Sequence, residues 1–352
     1  MTAGFRAGVI LFFSGRWPGV SDHVRYAGAV ETALAAEAEG FDDIWISEHH
    51  YLQRSNPAAL AFAAYLLGVT TRARIGTAVT LLPLHDPVHV AEQAALLDHL
   101  SDGRFDLGVG RGETTAEYEV MSSVQHCQEG MPNALGLLME SFTGSVGAES
   151  DLYRFRNVSP RPRPRTHPHP PVLVASEADA TLALAARHGL PCMFFLTQTQ
   201  DETAVAELVR RHAALAAEHG HHGLWQHTML VYAQVADTDA EAADVLRGPL
   251  QESLRATAAE YIWVHPSWRQ QSDHGLHVEN VIAQHAIGSP ATCIDRLTSI
   301  IERSGVGRAI LVVESAVAPP ATRVNVQRLG REVLPVVRER LAAAGTESGR
   351  RG

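Results

Sequence analysis

Lysine is absent from this chain. All 29 basic residues among the 352 are arginine, which excludes Schiff-base catalysis, pyridoxal phosphate attachment and the lysine-dependent phosphate loop of NTPases. Cysteine is scarce. Cys127, Cys192 and Cys293 lie far apart, forming neither a disulfide framework nor a zinc pattern, so a reducing cytoplasm is the expected location and no metal is expected. No apolar run reaches the roughly 18 residues of a membrane span. Val9–Phe13 is too short for a signal-peptide core before Ser14-Gly15-Arg16. The 29 arginines face 39 acidic residues, and the formal net charge of −10 argues against nucleic acid as a partner. No G-x-S-x-G elbow marks a serine hydrolase. What is present is apolar content: 45% hydrophobic residues can bury a large core, so most of the chain is expected to be ordered.

Strand-like runs alternate with runs of helical period. Arg6–Phe13, Asp43–Ser47, Arg74–Leu81, Arg104–Val109, Val172–Ala175, Cys192–Leu196, Met229–Val235 and Ala309–Val313 read as strands. Asp22–Glu39, Pro57–Thr70, Val88–Leu100, Ala178–His188, Asp201–His219, Asp239–Ala258, Pro290–Ser304 and Asn325–Ala343 read as helices. Gly28 weakens the first of these, and Pro335 kinks the last. Eight strands, each followed by a helix or long loop, predict an α/β fold of the (β/α)8 barrel type as one domain over residues 1–345. An open doubly wound sheet is the runner-up. Residues 144–171, with Arg161-Pro162-Arg163-Pro164-Arg165, form an extended connection, and 259–286 an insertion late in the barrel, placed to act as a lid. Residues 346–352 read as a frayed tail.

In a parallel barrel the residues just after each strand face the active site. The second strand ends in Ser47-Glu48-His49-His50, an acid beside two histidines, suited to acid–base work or to a metal, although no HExxH or matching ligand cluster accompanies it. The bland alternative is a polar loop with one structural histidine. The third strand carries Gly76-Thr77-Ala78-Val79, small enough for a flat ligand yet equally consistent with a plain core strand. The fourth ends in Gly108-Val109-Gly110-Arg111-Gly112. Glu113 stands where a dinucleotide fingerprint needs glycine, but exposed amides and the Arg111 fork suit a phosphate. A tight turn with a surface arginine is the competing reading. The fifth runs through Ser176-Glu177-Ala178 into a helix with Thr181 in its first turn. That helix start can bind an anion or be capped simply by Ser176.

The runs Gly40–His50 and Gly76–Gly112, with Val174–Pro191 and Gly288-Ser289-Pro290, resemble the bacterial luciferase-like flavin monooxygenases, and the similarity spans nearly the whole chain. The family fold is a (β/α)8 barrel. The resemblance implies that His49 is the catalytic histidine, beside Glu48. It implies a non-prolyl cis peptide at Ala78-Val79 against the flavin ring, a phosphate-binding Arg111, and a ribityl-phosphate segment containing Glu177, Ala178 and Thr181. The chain also departs from the α chain of luciferase. Gly110 replaces a reactive cysteine, Thr114 replaces a tyrosine, and Asn133 falls near a second phosphate arginine.

The implied activity is a two-component monooxygenase. Reduced FMN would come from a separate flavin reductase, and O2 would add at the flavin C4a as a peroxide that oxygenates an apolar organic substrate, in secondary metabolism by family habit. Tyr261, Trp263 and Trp268 are candidate pocket walls. A homodimer through helices near the second and third strands is implied as well. Two rivals share the fold: hydride transfer with the deazaflavin F420, and a non-catalytic partner subunit like the luciferase β chain.

Overall fold

The computed structural model describes residues 4–13, 20–51, 55–112, 115–122, 124–176, 178–196, 201–223, 225–260, 274–314 and 318–348. Its strands are β1 (Arg6–Leu11), β2 (Asp43–Ile46), β3 (Arg74–Thr77), β4 (Thr80–Leu81), β5 (Phe105–Gly110), β6 (Val146–Glu149), β7 (Arg154–Val158), β8 (Val172–Ala175), β9 (Cys192–Phe195), β10 (Thr228–Val235), β11 (Ala286–Gly288) and β12 (Arg308–Val312). Its helices are α1 (Asp22–Ala38), α2 (Ala59–Val69), α3 (Pro87–Leu100), α4 (Thr115–Met121), α5 (Val124–Thr143), α6 (Asp179–Arg187), α7 (Glu202–Glu218), α8 (Asp239–Glu260), α9 (His274–Gln284), α10 (Pro290–Ser304), α11 (Pro319–Arg328) and α12 (Leu334–Ser348).

The strands are hydrogen-bonded in the order β11, β10, β12, β1, β2, β3, β5, β8, β9, and β9 pairs back onto β10. Eight strands thus close into the parallel barrel that the βα rhythm predicts. β4 continues the line of β3 along β5, and β11 extends β10 outside the ring. The barrel strands are short and almost wholly buried, as expected where helices cover the sheet.

By its internal contacts the chain falls into two compact units: residues 1–45, 176–259 and 271–352, and residues 46–175 and 260–270. In the first, α1 packs on α11 closely enough that a Cβ on Gly28 would lie 2.7 Å from Pro319 Cβ. The glycine that costs helix propensity is therefore a contact point. Val278 and Val281 of α9 pack with Ala242, Leu246 and Leu250 of α8 and Ile287 of β11. Part of the expected lid insertion is therefore core-packed helix and strand, while residues 261–273, with Tyr261, Trp263 and Trp268, lie outside the described residues. The final helical run is divided. A π-helical turn over Leu329–Val333 separates α11 from α12 just before Pro335, which cannot donate an amide hydrogen bond. Helix α12 continues to Ser348.

The second unit holds two helices without a counterpart among the predicted elements, α4 and α5. Residues 144–171 contain the antiparallel hairpin β6–β7 before the arginine–proline run.

The N-terminal strand ends carry ion pairs. In the first unit Arg6 pairs with Asp43, and Arg308 lies 3.5 Å from Asp43 and over the Trp45 ring. In the second, Arg74 Nε donates to Asp106 at 2.9 Å. Two further guanidinium groups fasten chain turns. Arg104 donates to the carbonyls of Leu67, Thr70 and Ala73 and to the Thr70 hydroxyl. Arg296 donates to the carbonyls of Ile282, His285 and Ile287.

Candidate functional site

Strand β2 delivers Ser47–His50 at its C-terminal end, and a short clamp sets the turn. Asn56 accepts the His49 amide on its carbonyl (3.0 Å) and donates from its side chain to Ser47 O (3.1 Å). Glu48 points inward and is buried. Its Oε1 receives His85 Nε2 at 2.7 Å, the Leu81 amide at 3.3 Å, and His50 Nε2 at 3.4 Å. Burial alone would push this carboxyl up. The two imidazoles outweigh it and hold the pKa at about 2, so Glu48 is a permanent anion at neutral pH. His85 shows the converse: burial lowers its pKa, but bonding to Glu48 and that anion's charge leave it raised. Glu48, His50 and His85 place three ligand-type atoms within 4.8 Å of one another. Both histidines and the Leu81 amide converge on one carboxylate oxygen, Oε1.

His49 is partly exposed at 27% of its side chain. Its Nδ1 lies 3.6 Å from Oε1 of Glu117, the same oxygen that accepts the His50 amide at 2.9 Å. Beside it, the line from β3 to β4 is interrupted at Ala78-Val79. This peptide is cis, as the resemblance implies, and the Ala78 amide reaches back to Ile46 O at 2.7 Å. The Thr77 hydroxyl ties this strand to Gly108 of β5 at 2.7 Å. At the end of β5 a Cβ on Gly110 would fall 2.5 Å from Val79 Cγ2 and 3.5 Å from Ala175 Cβ. Any side chain there would fill the space over Val79. Arg111 follows, half-buried, and the Tyr118 hydroxyl from α4 donates to its backbone carbonyl.

Glu48, His49, Ala78, Val79, Gly110 and Arg111 therefore share one unit and the C-terminal ends of successive strands. Ala178 and Thr181 belong to the other unit and are described within it. There α6 starts one residue later than expected. Ala178, not Ser176, occupies the cap position and supplies no side-chain hydrogen bond. The Ser176 hydroxyl instead meets Thr181 Oγ1 at 3.2 Å, and Thr181 donates to Ala178 O at 2.9 Å. Amides of the first turn thus carry no side-chain cap from that position, which suits an anion. Glu177 and Thr114 lie outside the described residues, and Asn133 is exposed on α5.

Sequence reasoning missed His85 and Glu117 as neighbours of the site. His85 follows β4 only after a 3-10 turn over Leu82–Leu84 and precedes Asp86-Pro87, a helix-start signal that says nothing of a partner for Glu48. Glu117 had no local marker.

Among curated proteins the chain is 26% identical to the alkanal monooxygenase alpha chain of Photorhabdus luminescens over 336 residues, covering 88% of this chain and 92% of that relative. Among solved structures it matches monooxygenase RslO1 from Streptomyces bottropensis at a TM-score of 0.82 and 22% identity, covering 94% and 99% of the two chains. The oxygenating constituent of 3,6-diketocamphane monooxygenase from Pseudomonas putida, solved with FMN, matches at a TM-score of 0.74 and 19% identity, covering 95% and 98%. An F420-dependent secondary alcohol dehydrogenase has the same TM-score and identity, covering 95% and 99%. At these identities the structures establish the fold. Residues 6–308 match the sequence model of the luciferase-like monooxygenases, and the chain belongs to that family.

Proposed function

We propose that this protein is the oxygenase of a two-component system. It takes reduced FMN from a separate flavin reductase and, with O2, oxygenates an apolar organic substrate. The observation that carries the reading is the strand-end arrangement of one unit: Gly110 packed closely against Val79 of the cis Ala78-Val79 peptide, an arginine beside it, and a histidine near a carboxyl group. The fit to a flavin is physical. Gly110, with no side chain, lets β5 pack directly against the Ala78-Val79 peptide, and Arg111 offers a bidentate fork to a phosphate. Bound reduced flavin supplies the electrons that activate O2.

The chain's own residues bind, orient and move protons. Arg111 would hold the phosphate; the resemblance gives Ala178 and Thr181, in the other unit, a ribityl-phosphate role of their own. Ala78, Val79 and Gly110 would set the plane of the ring. His49, partly exposed and not bonded to Glu48 as His50 and His85 are, would exchange a proton with the reacting centre. Glu48 stays ionised and fixes His50 and His85, keeping this wall of the site rigid. We further propose a homodimer, with α2 and α3 as the contact.

The test is product analysis by mass spectrometry with FMN, a generic reductase, O2 and panels of aromatic and long-chain substrates. His49→Ala should still bind FMN but lose product formation, and unchanged turnover would remove His49 from the mechanism. The likeness to an F420-dependent dehydrogenase supplies the second reading, hydride transfer without oxygen. Substrate-linked O2 consumption separates the two, since only the first requires it.

A further inference from the structure

Glu117 sits on the short helix α4, is fully buried, and brings its Oε1 to the site. Oε1 accepts the His50 backbone N–H at 2.9 Å and stands 3.6 Å from His49 Nδ1. The 3.6 Å separation is an ion-pair distance, and the His49 ring faces a carboxyl oxygen that carries no N–H of its own. An acceptor opposite Nδ1 selects the neutral tautomer with the proton on Nδ1 and leaves Nε2 as the basic nitrogen. The same oxygen also fixes the peptide that joins His49 to His50, so it constrains both the ring and the backbone that carries it. The neighbouring acid does not compete for this role, since Oε1 of Glu48 is engaged by His50, His85 and the Leu81 amide. The helix bearing Glu117 is held in turn by Tyr118, whose hydroxyl donates to the Arg111 carbonyl.

We propose that Glu117 is the positioning residue for His49: it keeps the His49 proton on Nδ1 and makes Nε2 the atom that exchanges a proton in turnover. This deepens the function proposed above and rests on it only for the word turnover.

The decisive measurement needs no flavin. Long-range 1H–15N correlation spectra of 15N-histidine-labelled protein at pH 9, where imidazoles are neutral, report the tautomer of each ring, and His49→Gln identifies the His49 signals. Wild-type protein should show His49 with its proton on Nδ1. Glu117→Gln, which offers a donor as well as an acceptor, should add the Nε2–H form. An Nε2–H ring in the wild type, or the same spectrum in Glu117→Gln, overturns the proposal. In reductase-coupled turnover, Glu117→Gln should lower kcat by roughly 100-fold with KM little changed, and Glu117→Asp should recover part of the loss. Equal turnover in Glu117→Gln and wild type also overturns it. If the protein proves not to be an oxygenase, the tautomer result still stands or falls alone. If Glu117→Gln does not fold, the wild-type spectrum decides.

Discussion

Gly110 and Val79 are matched in shape: a β-carbon on the first would lie 2.5 Å from a γ-methyl of the second. Val79 is β-branched and has few rotamers through which to move aside. Gly110→Ala should therefore destabilise the fold by about 1–3 kcal/mol, the usual range for overpacking. Val79→Ala in the same chain should recover part of that loss. Denaturant unfolding of the two single variants and the double variant checks this; strictly additive effects would mean that the two positions do not touch.

Arg111 gives a prediction that separates charge from shape. Arg111→Gln should weaken FMN binding by about 10- to 100-fold, the value of one charge-assisted hydrogen bond. Riboflavin lacks the phosphate, and its affinity should hardly change. Fluorescence titration with both flavins reads the difference. An equal loss for both would place Arg111 against the ring system instead.

The Glu48–His85 pair has a defined pH window. Glu48 has its pKa depressed to about 2 from the ordinary 4.5. Its contribution is thus fully present above 4.5 and fades as pH falls toward 2. His85 has its pKa raised, so its contribution is complete below 6.5 and fades as pH rises through the folded value. The two statements describe one interaction, counted once. His85→Ala should cost about 1–3 kcal/mol, since His50 and the Leu81 amide remain on Glu48. The gap between variant and wild type should be widest between pH 4.5 and 6.5 and close on the acid side.

Two histidines in the other unit act in the opposite sense. His227 and His285 are buried, each accepts a backbone amide on Nδ1, and burial drops each pKa to about 3. A histidine that stays neutral when folded but can charge when unfolded supports the fold above 6.5 and withdraws support as pH falls. Together they should cost roughly 2 kcal/mol per pH unit between pH 6 and 5. Urea midpoints over that range test it, and His285→Gln should remove about half of the slope.

The barrel was legible in sequence because its strands are short apolar runs with turn residues at both ends; β8 and α10 fall where their residues predict them to the residue. Helix α5 was not, because Gly130, Pro132 and Gly136 interrupt its pattern, and only packing in the folded chain makes it helical. The site divides in the same way. Glu48 and His49 are marked locally by the end of β2. His85 and Glu117 reach that turn across 37 and 67 residues of chain, and no local signal encodes a meeting of that kind.

The guanidinium groups of Arg104 and Arg296 each gather several main-chain oxygens at a bend of the chain. An ammonium group offers only three hydrogens on one atom, whereas guanidinium offers five in a planar fork. One side chain thus closes each bend on several stretches of main chain at once, and replacing either arginine by lysine would leave carbonyls of that bend without a donor.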